Sequence, residues 1–314
     1  MPVNTMDHAV PAARLGTITC RAAAATDPGR KRTQNQDNFL IVGLTDGEGD
    51  IVFRPGVDAA EGRATVELDL DRTIALLVVA DGMGGAAAGR LASGLACSFI
   101  LAELQASWLA EAERTAVRFA THLRNAVSSA NRQIHDHATR NPEYAGMGTT
   151  VTAVGVVGAT ACIAQVGDSR AYLVRAGGIE QLTHDQSLVQ QLLDNGLITS
   201  EQAAASEQGN LILQALGVEP TVTVDLTSHD LLRGDCVVVC CDGLYRVVRA
   251  DEIAATVVGS LDTMFAATSL VALANERGAP DNVTVIAARF DGPGLLAPAV
   301  GGDRASGSSA TSIP

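Results

Sequence analysis

The most constraining feature of this chain is a set of apolar, β-branched runs that begin or end on an aspartate. Asp81 follows Leu76-Leu77-Val78-Val79-Ala80, and Asp242 follows Val237-Val238-Val239-Cys240-Cys241. Asp281 stands just before Val283-Thr284-Val285-Ile286, and Asp37 just before Phe39-Leu40-Ile41-Val42. Such runs read as buried strands, because β-branched residues suit a pleated surface. Taken one at a time, the acids read as turn chemistry, since Asp81-Gly82 and Asp242-Gly243 are both Asp-Gly pairs. Taken together, four carboxylates at buried strand ends repel one another unless cations neutralise them, and hard oxygen donors select Mg²⁺ or Mn²⁺ over zinc. Two divalent ions balance four carboxylates, acidify water and clamp a phosphoryl oxygen for in-line attack. The pattern points to phosphoester hydrolysis.

Further strands are expected at Leu15 to Ala23, Ala64 to Leu70, Thr73 to Ala80, Gly148 to Gly155, Ala161 to Val166, Ala171 to Arg175, Thr221 to Leu226, Asp235 to Cys241 and Asn282 to Phe290. The stretch from Gly43 to Asp71 reads as a β-hairpin excursion. Apolar residues recur at three and four in Leu91, Leu95, Phe99 and Ala102, and again in Ala116, Ala120, Leu123, Val127, Ala130 and Ile134. These predict amphipathic helices over Ala86 to Gln105 and Glu111 to Thr139. A short helical region at Ser187 to Gly196 and Ser200 to Ser206 reads as a flap, and a last helix is expected at Leu261 to Arg277. Neighbouring strands punctuated by helix pairs argue for α+β antiparallel sheets covered by helices.

Residues 1–15 and 293–314 have the small, polar composition of loose tails, which leaves 16–292 as one domain. The stretch from Tyr144 to Gly167 carries no charge and is long enough to cross a bilayer. Its Thr, Val and Gly content, broken at Gly158, favours a hairpin of buried strands instead. Formal net charge is −13 with no basic run, which disfavours nucleic acid and acidic membrane surfaces as partners. The six cysteines show no metal-type spacing and read as small hydrophobes in a reducing compartment. With no secretory leader visible, a cytoplasmic monomer is expected.

The ordered motifs are Arg32-Thr33-Gln34-Asn35-Gln36-Asp37-Asn38, Val79-Ala80-Asp81-Gly82-Met83-Gly84-Gly85, Gly146-Met147-Gly148-Thr149-Thr150, Val166-Gly167-Asp168-Ser169-Arg170, Leu182-Thr183-His184-Asp185, Gln214-Ala215-Leu216-Gly217, Cys241-Asp242-Gly243-Leu244 and Asp281-Asn282-Val283-Thr284. From about Thr17 to Phe290, the chain resembles the bacterial PPM (PP2C-type) metal-dependent serine/threonine protein phosphatases.

That resemblance implies a four-layer αββα sandwich, two antiparallel β-sheets flanked by helix pairs. It implies hydrolysis of phosphoserine and phosphothreonine in proteins, substrates of a Ser/Thr kinase, by a metal-bound water at a site of two Mn²⁺ or Mg²⁺ ions. Asp81 would bridge both ions and the Gly82 carbonyl would contact one; Asp242 and Asp281 would complete the other ion's shell, and Asp37 would lie beside the second ion, directly or through water. Arg32, Asp37 and Asp81 would carry catalysis, with Arg32 forking onto the phosphate, and Asp168 would support a turn.

The family's acid for a weak third ion is best matched by Glu143. The chain departs from the family at Ala86 and Arg90, where His and Glu are usual, at Arg246, where Asp is usual, and at Glu207-Gln208, where His-Pro is usual. His184, His135 and His137 are conceivable general acids, but each lacks a partner nearby in sequence. The altered positions leave open a second class, a PPM-fold regulatory module that binds a phosphoprotein or sigma-factor regulator with impaired turnover.

Overall fold

The computed structural model describes residues 16–45, 51–53, 62–204, 211–298 and 311–312. One sheet holds β1 (Thr19–Asp27), β4 (Gly62–Asp69), β10 (Arg170–Arg175), β11 (Gly178–Gln181), β13 (Cys236–Cys240) and β14 (Val283–Asp291), in the order β11-β10-β13-β14-β1-β4. We call it the terminal sheet, because it joins β1 to β14. The other, the middle sheet, holds β2 (Asn38–Leu44), β3 (Ile51–Phe53), β5 (Ile74–Ala80), β8 (Val151–Val157), β9 (Thr160–Val166), β12 (Asp225–Asp230) and β15 (Thr311–Ser312), in the order β15-β12-β9-β8-β5-β2-β3. All neighbours in both sheets are antiparallel. A small ribbon pairs β6 (Gly82–Met83) with β7 (Gly148–Thr149).

Three apolar layers stack through the molecule. Helices α1 (Ala86–Trp108) and α2 (Ala116–Arg140) cover the middle sheet through Leu76, Val78, Ile100, Phe119 and Val127. The sheets meet through Leu77, Val79, Val237, Val239 and Ile286. After the short helices α3 (Leu188–Asp194), α4 (Ser200–Ala204) and α5 (Asp242–Tyr245), helices α6 (Ala250–Gly259) and α7 (Thr263–Glu276) cover the terminal sheet through Val238, Val285, Ile253 and Leu270. The result is the expected four-layer αββα sandwich. Alternate residues of β5 and β13 therefore face two different cores, which explains why these strands read as unbroken apolar runs rather than as alternation.

Several boundaries differ from the sequence reading for local reasons. Helix α2 starts at Ala116 rather than Glu111, because Thr115 caps it: the Arg118 amide donates to its Oγ1 at 3.3 Å. The excursion after Gly43 is only partly a hairpin. Strand β3 folds back on β2, but β4 crosses to the terminal sheet and pairs with β1. The strand expected at Thr221 to Leu226 lies at Asp225–Asp230, set by its register against β9.

Helix α6 was not anticipated; it buries only Ile253, Ala254 and Val257, too short a stripe to read by period. The uncharged stretch does form a hairpin, β8 to β9, turning at Gly158 with φ 57°. Helix α1 is also long and apolar enough to cross a membrane, but Ala92, Ala96, Ile100 and Leu104 are buried within the protein. Beyond the expected boundary at 292, Leu295 is buried in the inter-sheet core, and Thr311–Ser312 pairs with Thr227 and Ser228. The tail at 1–15, parts of the excursion (46–50 and 54–61), flap residues 205–210 with Glu207 and Gln208, and 299–310 fall outside the described residues.

Candidate active site

Strand pairing brings the four aspartates together. In the middle sheet Asn38 pairs with Ala80, so Asp37, just before β2, and Asp81, just after β5, leave neighbouring strands at the same end. In the terminal sheet Cys240 pairs with Val285, so Asp242 and Asp281 emerge side by side from β13 and β14. Each sheet thus contributes one pair of acids to a single cleft edge.

The cluster is held in a strained electrostatic state. Asp37 is 4% exposed, and its Oδ2 accepts from Thr284 Oγ1 at 2.7 Å while Oδ1 has no hydrogen-bond partner. Burial, with smaller contributions from Asp242 and Asp281, raises its pKa to about 7 against the help of Thr284 and Cys241. Burial, then Asp37 and Asp242, pushes Asp81 well above the carboxylate range. Asp242 is likewise raised by burial and Asp281, Arg246 opposing, and its Oδ1 is also unpartnered. Buried carboxylates with unpartnered oxygens are the donor set of a hard cation.

Close backbone approaches shape the site. A Cβ on Gly82 would lie 2.2 Å from the Gly89 carbonyl oxygen and 2.5 Å from that of Gln36. A Cβ on Gly243 would lie 1.9 Å from the Asn282 carbonyl oxygen. Only glycine lets these turns pack beside the acids.

Arg32 does reach the cluster: its Nη2 contacts Asp281 Oδ2 at 2.8 Å, with the arginine side chain 56% exposed at the rim. The loop that carries it is fastened by Asn282, whose Nδ2 donates to the carbonyls of Pro28 and Gln34, each at 2.9 Å, and whose Oδ1 accepts from the Gln36 amide at 2.8 Å. In the sequence Asn282 stands inside a motif with nothing to mark this role except its place, an amide side chain between a ligand-type Asp and a strand.

Glu143 is exposed on a 3₁₀ turn over Pro142–Tyr144 and makes no hydrogen bond or ion pair with the acids. His184 contacts Asp194 at 2.7 Å and His135 contacts the Gly217 carbonyl at 3.2 Å, so both rings are engaged elsewhere. His137 stacks near Tyr144, ring centroids 5.6 Å apart.

A second network, unseen in sequence, buttresses the terminal-sheet acids. Asp168 is 2% exposed and accepts from Tyr245 Oη at 3.1 Å. Arg246 lies 2.8 Å from Asp242 Oδ2 and 3.7 Å from Asp168 Oδ2. Burial, then Asp242, raises Asp168 to about 7. Arg170 forks onto Asp185, at 2.9 Å through Nε and 2.6 Å through Nη2, and stacks 3.7 Å above the Tyr245 ring. The motifs around Asp168, Asp185 and Asp242 are therefore one contiguous unit.

The model of the protein phosphatase 2C family matches residues 64–277. The chain belongs to this family. Among curated members, the serine/threonine phosphatase stp of Listeria welshimeri is 36% identical over 212 residues, covering 67% of this chain and 82% of that protein. Protein phosphatase PhpP of Streptococcus pneumoniae is 32% identical, covering 83% and 93%. Among solved structures, the serine/threonine phosphatase PstP/Ppp of Mycobacterium tuberculosis superposes with a TM-score of 0.70 at 32% identity, covering 87% of this chain and all of that one. A PstP catalytic domain in complex with two manganese ions gives 0.68 at 32% identity, covering 88% and 100%. In this chain the four aspartates stand at one end of the paired sheets, with Arg246 against Asp242.

Proposed function

We propose that this phosphatase 2C member hydrolyses phosphoserine and phosphothreonine in proteins phosphorylated by a Ser/Thr kinase, using two Mn²⁺ or Mg²⁺ ions. The observation that carries the reading is the pair of unpartnered, buried oxygens, Asp37 Oδ1 and Asp242 Oδ1, in a cluster whose acids raise one another's pKa. An all-oxygen set with excess negative charge fits hard divalent cations. Asp81, Asp242, Asp281, Asp37 and the Gly82 carbonyl would hold them, with Glu143 the candidate for a weaker third. Bound there, the ions offset the carboxylate charge and acidify water for attack on phosphorus.

The chain's own groups supply the rest. Arg32, released from Asp281, presents its guanidinium fork to two phosphate oxygens. Asn282 fixes the loop that aims it. With His184 and His135 engaged elsewhere, the leaving alkoxide takes its proton from solvent. All six cysteines are free and buried, which suits a reducing compartment such as the cytoplasm.

A second reading, a phosphoprotein-binding module with impaired turnover, draws on Arg246 lying against Asp242. Phosphopeptide turnover with Mn²⁺, with Mg²⁺ and with chelator decides: hydrolysis restored by metal supports the enzyme, while metal binding seen by calorimetry without hydrolysis supports the module.

A further inference from the structure

The acidic centre is bordered differently on its two sides. Arg32 stands on the terminal-sheet side, against Asp281. On the middle-sheet side the chain presents two apolar side chains, Met83 and Val218, 37% and 42% exposed. Met83 follows Asp81 by two residues, so their Cα atoms lie within about 7 Å of each other. Val218 comes from far along the chain and meets Met83 over Gly148. A Cβ on Gly148 would lie 2.8 Å from Val218 Cγ2 and 3.4 Å from Met83 Cγ. Gly148 pairs with Met83 in the β6–β7 ribbon, and its neighbour Thr149 donates through Oγ1 to the Asp81 carbonyl at 2.9 Å. Both side chains therefore border the backbone that carries Asp81.

Apolar residues scattered singly on a surface need no explanation. Val218 differs, because a buried side chain fixes it from both sides. Asn131 of α2 accepts through Oδ1 from the Gly217 amide at 2.8 Å and donates through Nδ2 to the Glu219 carbonyl at 3.1 Å. Gly217, at φ 87°, packs where a Cβ would lie 2.3 Å from Ile134 Cγ2. Thr149 and Leu216 exchange both backbone hydrogen bonds, at 3.1 and 2.8 Å. The segment leading to this loop from α3 adds two more exposed leucines, Leu211 and Leu213. A valine held this firmly and left facing solvent is preorganised for contact from outside.

We propose that Met83 and Val218 form an apolar shelf that receives an aliphatic or aromatic side chain beside the phosphorylated residue, so that the enzyme selects phosphopeptides with apolar neighbours. The proposal deepens the phosphatase reading and rests on it. An extended peptide advances about 3.3 Å per residue, so with its phosphate at the acids a neighbouring residue comes within reach of the shelf. Burying that side chain strengthens binding without touching the reacting phosphate, so the selection falls on KM more than on kcat.

The test compares two phosphothreonine peptides that differ only in carrying Leu or Asn on both sides of the phosphothreonine, assayed with Mn²⁺. Leu and Asn are similar in shape and both neutral, so the net charge of −13 does not enter the comparison. The Leu peptide should show kcat/KM at least about tenfold higher, mostly through KM. In Val218→Ser and in Met83→Ser the ratio should fall below about threefold. Because both peptides are read in the same variant, a general loss of activity cancels.

Equal kcat/KM for the two peptides in the unsubstituted enzyme, or an undiminished ratio in Val218→Ser, overturns the proposal. So does a third peptide, with Arg at the same positions, that outruns the Leu peptide, since the exposed Glu143 and Glu219 would then set the selection. Should Met83→Ser not fold, Val218→Ser decides alone. If no peptide is hydrolysed with Mn²⁺, the functional reading falls, and the ratio of Kd for the Leu and Asn peptides, read by fluorescence anisotropy with Mn²⁺ present, still decides the shelf.

Discussion

The two halves of the acidic cluster are built alike and compensated differently. Among the described residues Asp37 and Asp81 leave the middle sheet without an arginine ion pair, Arg32 acting on Asp81 only at longer range; the Asp37 carboxylate accepts from Thr284 Oγ1, and the Asp81 backbone amide donates to the Thr150 side chain. Asp242 and Asp281 leave the terminal sheet, and each meets a guanidinium, from Arg246 and Arg32 respectively. One half thus waits for charge from outside, and the other carries part of its own. Divalent ions should therefore matter most to the middle-sheet pair, and the arginines should govern how readily the terminal-sheet pair gives up its oxygens.

The sharpest break falls on the uncompensated half. Asp81→Asn should lower phosphopeptide kcat/KM by at least about 100-fold and weaken Mn²⁺ binding by a similar factor, read by steady-state kinetics and calorimetry. The same half predicts a pH dependence. Asp37 has its folded pKa raised to about 7 from 3.8, so between those values the native state holds a proton the unfolded chain has lost. Stability of the metal-free protein should fall as pH rises from about 4 to about 7, and Mn²⁺ should abolish that slope in thermal melts.

The compensated half predicts the reverse balance. Arg246→Met leaves Asp242 and Asp168 facing each other, and should destabilise the metal-free protein by about 2 kcal/mol, below the cost for a fully buried pair because the arginine is 24% exposed. Mn²⁺ should recover most of the loss in denaturant titrations. Asn282→Ala removes the fastening of the Arg32 loop, leaves backbone groups unpaired and should cost about 1–3 kcal/mol. The smallest structural effect belongs to Arg32→Lys: stability within about 0.5 kcal/mol, since the pair is exposed, but KM for phosphopeptide raised about tenfold as the fork is lost.

Much of this was legible because buried antiparallel strands announce themselves. β2 and β5 could be read nearly to the residue, since each faces apolar layers on both sides and ends abruptly on Asp. Their common place at strand ends makes a meeting of the four acids an expectation, and the pairing of β2 with β5 and of β13 with β14 brings them together. The arginines were not legible in the same way. Arg246 reads as a departure and Arg170 as part of a turn motif: Arg246 stands only four residues after Asp242, but its approach to Asp168 and the reach of Arg170 to Asp185 depend on how the strands and loops are placed, which no period announces. Helix α6 failed for the opposite reason: its signal is local, but too short.

Sheet order also bears on how the chain comes into being. Strand β1, the first described, is flanked in the terminal sheet by β4 and by β14, the latter with register Thr19 to Asp291. That pairing spans nearly the whole polypeptide, and long-range pairing of this kind is slow and forms late. A nascent chain must therefore keep one edge of β1 open until Asp281 and β14 have been synthesised. The acidic centre is complete only once Asp281 and β14 have been made, and a product truncated before Asp281 lacks a quarter of that centre together with the strand that pairs with both β1 and β13.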